Sequence, residues 1–267
     1  MADGTALPAI VSAARNPRGS VLLAHGIFCD KTEFGRYDRL AARLAEFGFG
    51  SLRFDFRGHG EHALPSVEAG IAGMVLDFAT ALEYLAASGA GPVSCVAASF
   101  GGSIALLHLQ AGFRVRPQRL ILLNPVVEYR STFLEPRGEI MRQTFTPEKW
   151  ANLERLGFIE PIPGVKLGRT FAAELALLRP YAAFASSEVP TRIIHGTADR
   201  RVSHDVTRQY AMAAGKVDFV SIEGADHAFI PEPEERRSFE LITDWLLVPD
   251  PADIRLTARR GDDMVAP

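Results

Sequence analysis

The chain has 267 residues, 47% of them hydrophobic and 23% charged, which is ample for one large core and short of two typical ones. A net charge of -3 gives no sign of a nucleic-acid partner, which would favour a basic stripe. No apolar run approaches the roughly 20 residues of a membrane span, so no integral membrane segment is expected.

Short apolar runs alternate with longer helical patterns, the mark of an α/β fold with a mostly parallel sheet. Strands are expected at Ala9 to Ala13, Ser20 to Ala24, Ser51 to Phe56, Val93 to Ala97, Arg119 to Leu123, Arg192 to His195 and Asp218 to Ile222. Most are near-continuous apolar runs, as in strands covered on both faces. Between them, Tyr37 to Glu46 presents Leu40, Leu44 and Phe47 on one side, and Ala69 to Ala87 presents Met74, Phe78, Leu82 and Leu85. Ser103 to Leu109, Val206 to Ala214 and Glu235 to Leu247 read as further helices. From Pro125 to Val189 the alternation stops and no strand is expected. Thr146-Pro147 reads as a helix start, with Thr as N-cap and Pro at the first helical position. Phe171 to Phe184 is a second helical pattern, broken by Pro180. An interval this long inside a compact domain is usually functional, and residues 126–189 are read as a small lid above the sheet. A polar tail follows over residues 249–267.

The opening Met1-Ala2-Asp3-Gly4-Thr5 lacks the basic flank and apolar core of a secretory signal. The two cysteines, Cys29 and Cys95, read as reduced, small apolar fillers. Both points favour a cytoplasmic location. The Cys and His residues show no metal-ligand spacing, and no cofactor is implied.

Chemistry concentrates at Ala97-Ala98-Ser99-Phe100-Gly101-Gly102, set between an apolar run and a helical stretch. A serine at such a strand-to-helix turn has its hydroxyl lifted to the tip and aimed at the positive end of a helix. It is a poor nucleophile without an adjacent base. Of the seven histidines, His227 lies just beyond the last strand, on the rim where loops after parallel strands converge. Asp199, after the penultimate strand, is the carboxylate expected to orient it, completing the order Ser, Asp, His. Asp226 is the weaker candidate, because side chains adjacent in sequence point apart. The oxyanion of an attacked acyl group needs two fixed donors. The backbone N–H groups of Phe100 and of Ile27, after the His25-Gly26 turn, are the candidates.

His25 is read as a brace for that turn, and Asp55, Arg57 and His59 as braces of the loop after their strand. His195 is read as a satisfied rim histidine, while His62, His108 and His204 have no assigned partner. Phe28, Trp150, Phe171 and Phe229 are the candidate pocket residues.

These parts resemble the α/β-hydrolase superfamily over nearly the whole chain: the His25-Gly26 turn, Phe54-Asp55-Phe56-Arg57-Gly58-His59-Gly60, the serine turn, Asp199 and His227 follow its order. Within it the chain is similar to the branch of monoglyceride lipases, cinnamoyl and feruloyl esterases and acyl-thioesterases. Two departures stand out. Ala97 occupies a position that is usually glycine, and Glu61-His62 follows Gly60 where relatives often carry a small hydroxyl residue. The resemblance implies an α/β-hydrolase domain over residues 1–248, with its lid inserted after the sixth core strand. It implies cleavage of small-molecule carboxylic esters through an acyl-Ser99 intermediate. The rival is a thioesterase or acyltransferase using the same parts on acyl-CoA or acyl-carrier thioesters; a non-catalytic binding protein on a hydrolase scaffold would carry a damaged triad. Serine rather than aspartate at the turn argues against dehalogenase or epoxide-hydrolase chemistry. Nothing in the sequence specifies an oligomeric state.

Overall fold

A computed structural model describes residues 6–230 and 232–249. Its strands are β1 (Ala9–Ser12), β2 (Gly19–Ala24), β3 (Phe49–Phe54), β4 (Val93–Ala98), β5 (Leu120–Leu123), β6 (Phe158–Ile162), β7 (Val165–Gly168), β8 (Thr191–Gly196) and β9 (Val217–Ile222). The helices are α1 (Arg36–Glu46), α2 (Ile71–Ala87), α3 (Phe100–Gln110), α4 (Glu139–Thr144), α5 (Pro147–Leu156), α6 (Arg169–Leu177), α7 (Ala183–Ser186), α8 (His204–Ala213) and α9 (Glu232–Leu247).

Seven strands form one sheet in the order β1-β3-β2-β4-β5-β8-β9. Only β1 runs antiparallel, against β3; the other pairings are parallel. The parallel direction follows from the helical crossovers, which return the chain to the same end each time. Alternate residues of β2 and β4 enter two separate cores. Leu22, Ala24, Cys95 and Ala97 pack with α2 and α3, while Val21, Leu23, Val96 and Ala98 pack with α1 and α9. Two-sided burial is why these strands read as continuous apolar runs. The parallel strands leave Ser99, Asn124 and the loops after β8 and β9 along one edge, which is where chemistry can gather.

The segment between β5 and β8 differs from the sequence expectation in two ways. It follows the fifth strand of the chain, not the sixth, because a single strand precedes β2 among the described residues. It also contains a strand pair, β6-β7, separate from the main sheet. Pro161 and Pro163 argue against a strand here. They are accommodated because the hairpin is isolated, bulged between Ile159 and Ile162, and turned at Gly164 with φ 81. Lys166 N–H donates to Ser66 Oγ at 3.1 Å, tying the hairpin to the turn before α2. Glu174 of α6 accepts the N–H of Ile71, capping α2 and anchoring the insertion to the main body. Thr146 caps α5 by accepting from Lys149 N–H, with Pro147 at the first position, as the sequence indicates. Pro180 ends the pattern begun at Phe171, so α6 stops at Leu177 and a separate short turn leads into α7. Apart from Pro249, the polar tail lies outside the described residues.

Candidate active site

Ser99 bridges β4 and α3 with φ 49 and ψ -115, a left-handed-side conformation that a non-glycine residue keeps only when its surroundings enforce it. Three backbone bonds do so. Its N–H donates to Leu123 C=O at 2.8 Å, and its C=O accepts from Gly102 at 3.1 Å and Val126 at 3.0 Å. The small neighbours are steric necessities: a Cβ at Gly101 would lie 2.5 Å from the carbonyl oxygens of Ala24 and His25.

His227 sits in the loop after β9. Its Nδ1 is 2.7 Å from Asp199 Oδ2. The Asp199 side chain is fully buried. Burial alone raises a carboxyl pKa, yet His227, His195 and the hydrogen bonds around it hold Asp199 well below the ordinary range. Its Oδ1 accepts the N–H groups of Arg201 at 2.8 Å and Val202 at 2.9 Å. With its other oxygen saturated, Asp199 presents Oδ2 to the imidazole as an acceptor, which puts the proton on Nδ1 and leaves Nε2 free to accept one. Asp226 faces elsewhere: it holds the Arg200 side chain at 2.7 and 2.9 Å. The described residues therefore join Asp199, not Asp226, to the imidazole. The Ser99 hydroxyl makes no direct hydrogen bond to His227 among the described residues, but both line one cavity of about 450 Å³.

The loop after β2 forms the opposite wall. His25 is buried, and its Nε2 accepts the Phe56 N–H at 3.1 Å. A backbone N–H can only donate, so the ring proton must be on Nδ1, which donates to Gly26 C=O at 2.8 Å. Burial lowers the His25 pKa to about 3, keeping the ring in this neutral form. The Cys29 N–H also reaches Gly26 C=O, at 3.3 Å. In a trans peptide the C=O and the following N–H point opposite ways. The Ile27 N–H is therefore turned away from His25. Neither it nor the Phe100 N–H donates to a backbone acceptor among the described residues.

A family model described as the alpha/beta hydrolase family matches residues 21–237. The chain belongs to the alpha/beta hydrolase family. Solved structures similar to this α/β hydrolase include Est1E from Butyrivibrio proteoclasticus with ferulic acid bound, at 20% identity and a TM-score of 0.72, covering 92% of this chain and 96% of that one. A monoacylglycerol lipase from Paleococcus ferrophilus is 17% identical with a TM-score of 0.69, covering 90% and 98%. A soluble variant of monoglyceride lipase from Saccharomyces cerevisiae is 17% identical with a TM-score of 0.66, covering 91% and 92%. No curated protein matches the sequence.

In this α/β hydrolase the apolar cavity wall is built from Phe28, Val126, Phe133, Met141, Ile162 and Val202. Of the four candidate pocket residues, Phe28 lines this cavity and Trp150, Phe171 and Phe229 do not. Phe171 is fully buried against Phe100, with ring centroids 5.6 Å apart, in the core rather than on the cavity. Trp150 stacks on Phe145 and donates from Nε1 to Phe133 C=O at 3.2 Å, on the far side of the wall. Phe229 has φ 51 and turns back into the core under α1 and α9. Helical or strand period gives the buried side of an element; it does not say whether core or cavity lies there.

Some residues escape the sequence reading. Glu33 is buried with φ 48 and accepts the Gly26 N–H at 2.8 Å, fixing the peptide before the one His25 fixes. Asn124, at φ 45, accepts the Gly196 N–H at 2.8 Å and donates to His227 C=O at 2.6 Å, clamping the histidine loop to the end of β8. His195 is more than a rim residue: its Nε2 bonds Val202 C=O and lies 3.2 Å from Asp199 Oδ2. An Asn-Pro pair directly after a strand was the only available signal for Asn124. Asp55 braces its loop as expected, accepting Lys31 N–H, Lys31 Nζ and Glu61 N–H. Arg57 does so through a multiple contact to buried Asp77. Cys29 and Cys95 are both free. No helix among the described residues is long and apolar enough to cross a membrane.

Proposed function

We propose that this protein hydrolyses carboxylic esters through an acyl-Ser99 intermediate. The observation that carries the reading is the pairing of a serine held at φ 49 on a strand-to-helix turn with an imidazole on the same cavity, itself bonded at 2.7 Å to a buried carboxylate. His227 Nε2 takes the Ser99 proton as Oγ attacks the acyl carbon, then returns it to the departing alcohol. The Ile27 and Phe100 N–H groups receive the oxyanion, each such donor being worth about 3 kcal/mol of barrier. Water, deprotonated by the same imidazole, releases the acid and restores Ser99. The insertion acts as the lid, contributing Phe133, Met141 and Ile162 to the apolar wall that receives the acyl chain. Ester and lipid-ester hydrolases among the structural neighbours support the same chemistry.

A fluorophosphonate probe followed by peptide mass spectrometry tests this directly. The label is expected on Ser99, with esterase activity lost in step, and Ser99→Ala is expected to be folded and inert. Labelling elsewhere, or an active Ser99→Ala enzyme, refutes the assignment.

A further inference from the structure

Five charged side chains line the cavity besides His227: Glu33, Arg36, Arg39, Arg201 and Glu235. Two pairs among them are internally matched. Arg36 Nη2 reaches Glu33 Oε1 at 3.2 Å, and Arg39 makes a two-pronged contact to Glu235 at 2.6 and 2.8 Å. That leaves Arg201, whose guanidinium has no hydrogen-bond or ion-pair partner among the described residues. Two carboxylates on the loops that carry Arg201 and His227 are occupied. Asp226 is taken by Arg200, and Asp199 is fully buried with both oxygens engaged. Arg36 adds to the surplus: its side chain is 7% exposed, and its Nε and Nη1 have no partner. A cavity wall with excess cationic donors, on a chain of net charge -3, favours an anion locally against the field of the whole molecule.

The Arg201 backbone is well fixed, and its side chain is exposed at the cavity rim. Its N–H is bonded to Asp199 Oδ1, two residues from the acid that holds His227. The insertion closes on its carbonyl, since a Cβ at Gly138 would lie 2.3 Å from it. Guanidinium in such a place suits the planar oxygens of a carboxylate or the oxygens of a phosphate.

We propose that the substrate is an ester that carries an anionic group, carboxylate or phosphate, which pairs with Arg201 while the apolar portion lies against Phe133, Met141 and Ile162. This rests on the ester-hydrolase reading above and adds the substrate class to it.

The test compares kcat/KM within two matched pairs, at 20 and 500 mM NaCl. Monoethyl adipate against ethyl hexanoate places a carboxylate on the acyl side. 1-Hexanoylglycerol 3-phosphate against 1-hexanoylglycerol places a phosphate on the alcohol side. In at least one pair the anionic ester is expected to be preferred at low salt, with the preference shrinking at high salt. Arg201→Gln is expected to lower that anionic-to-neutral ratio about five-fold, and Arg201→Lys to lower it less. The pair that responds identifies the anion's source. A ratio of one or less in both pairs, or one unchanged by Arg201→Gln, overturns the proposal while leaving ester hydrolysis intact. If none of the four esters is turned over, the ester-hydrolase reading fails and the anion subsite falls with it.

Discussion

Exchanging Asp199 for Asn preserves shape and removes one charge, and the structure dictates how the amide must sit. Two backbone N–H groups, from Arg201 and Val202, point at Oδ1 from 2.8 and 2.9 Å. An amide NH2 there would face two donors, so the amide oxygen takes that position. The NH2 then occupies the place of Oδ2, against His227 Nδ1 at 2.7 Å and His195 Nε2 at 3.2 Å. His195 Nε2 donates to Val202 C=O and offers no lone pair. His227 Nδ1 must therefore become the acceptor, which moves its proton to Nε2. An imidazole protonated at Nε2 cannot take a proton from Ser99. A wrong tautomer of this kind costs about four orders of magnitude in kcat, or ~5 kcal/mol of barrier. The assay is turnover of a p-nitrophenyl ester by Asp199→Asn, with circular dichroism to confirm the fold. A rate within ten-fold of wild type refutes the reasoning. So does Asp226→Asn proving the more damaging change.

Other outcomes follow from the same geometry. Gly101→Ala sets a Cβ 2.5 Å from two backbone carbonyls that cannot yield, so a loss of at least ~3 kcal/mol is expected in urea denaturation; near-normal stability would show that strand and helix are not this tightly apposed. Acid stability is expected to report His25. Its pKa is lowered to about 3 from 6.5, so between those values the unfolded chain binds a proton that the folded one refuses. Its contribution to stability is whole above pH 6.5 and is lost progressively down to pH 3, amounting to about 3 kcal/mol by pH 4.5. Urea denaturation at pH 7 and 4.5 measures this, and His25→Gln is expected to show a smaller difference between the two pH values. An equal difference in both proteins would remove His25 as the cause.

The amino-acid sequence by itself determined the order of the seven main-sheet strands and the helices between them, the serine turn, and the loops that carry Asp199 and His227, but not the β6-β7 pair. These are short-range signals: a continuous apolar run marks a strand covered on both faces, and small residues around Ser99 mark a close approach of β4, α3 and the end of β2. Tertiary structure alone decided which side chains meet the cavity. Phe28 and Phe171 look alike as apolar positions, yet one lines the cavity and the other fills the core beneath it, because the facing surface belongs to another element. The same holds for the bracing groups. Glu33, Asn124 and His195 act across gaps of 7, 72 and 4 residues, on Gly26, Gly196 and Asp199. The two longer links have no periodicity to announce them. They exist because parallel strands bring their carboxyl ends to one edge, where polar backbone groups left unpaired must find partners or lose their hydrogen bonds to burial.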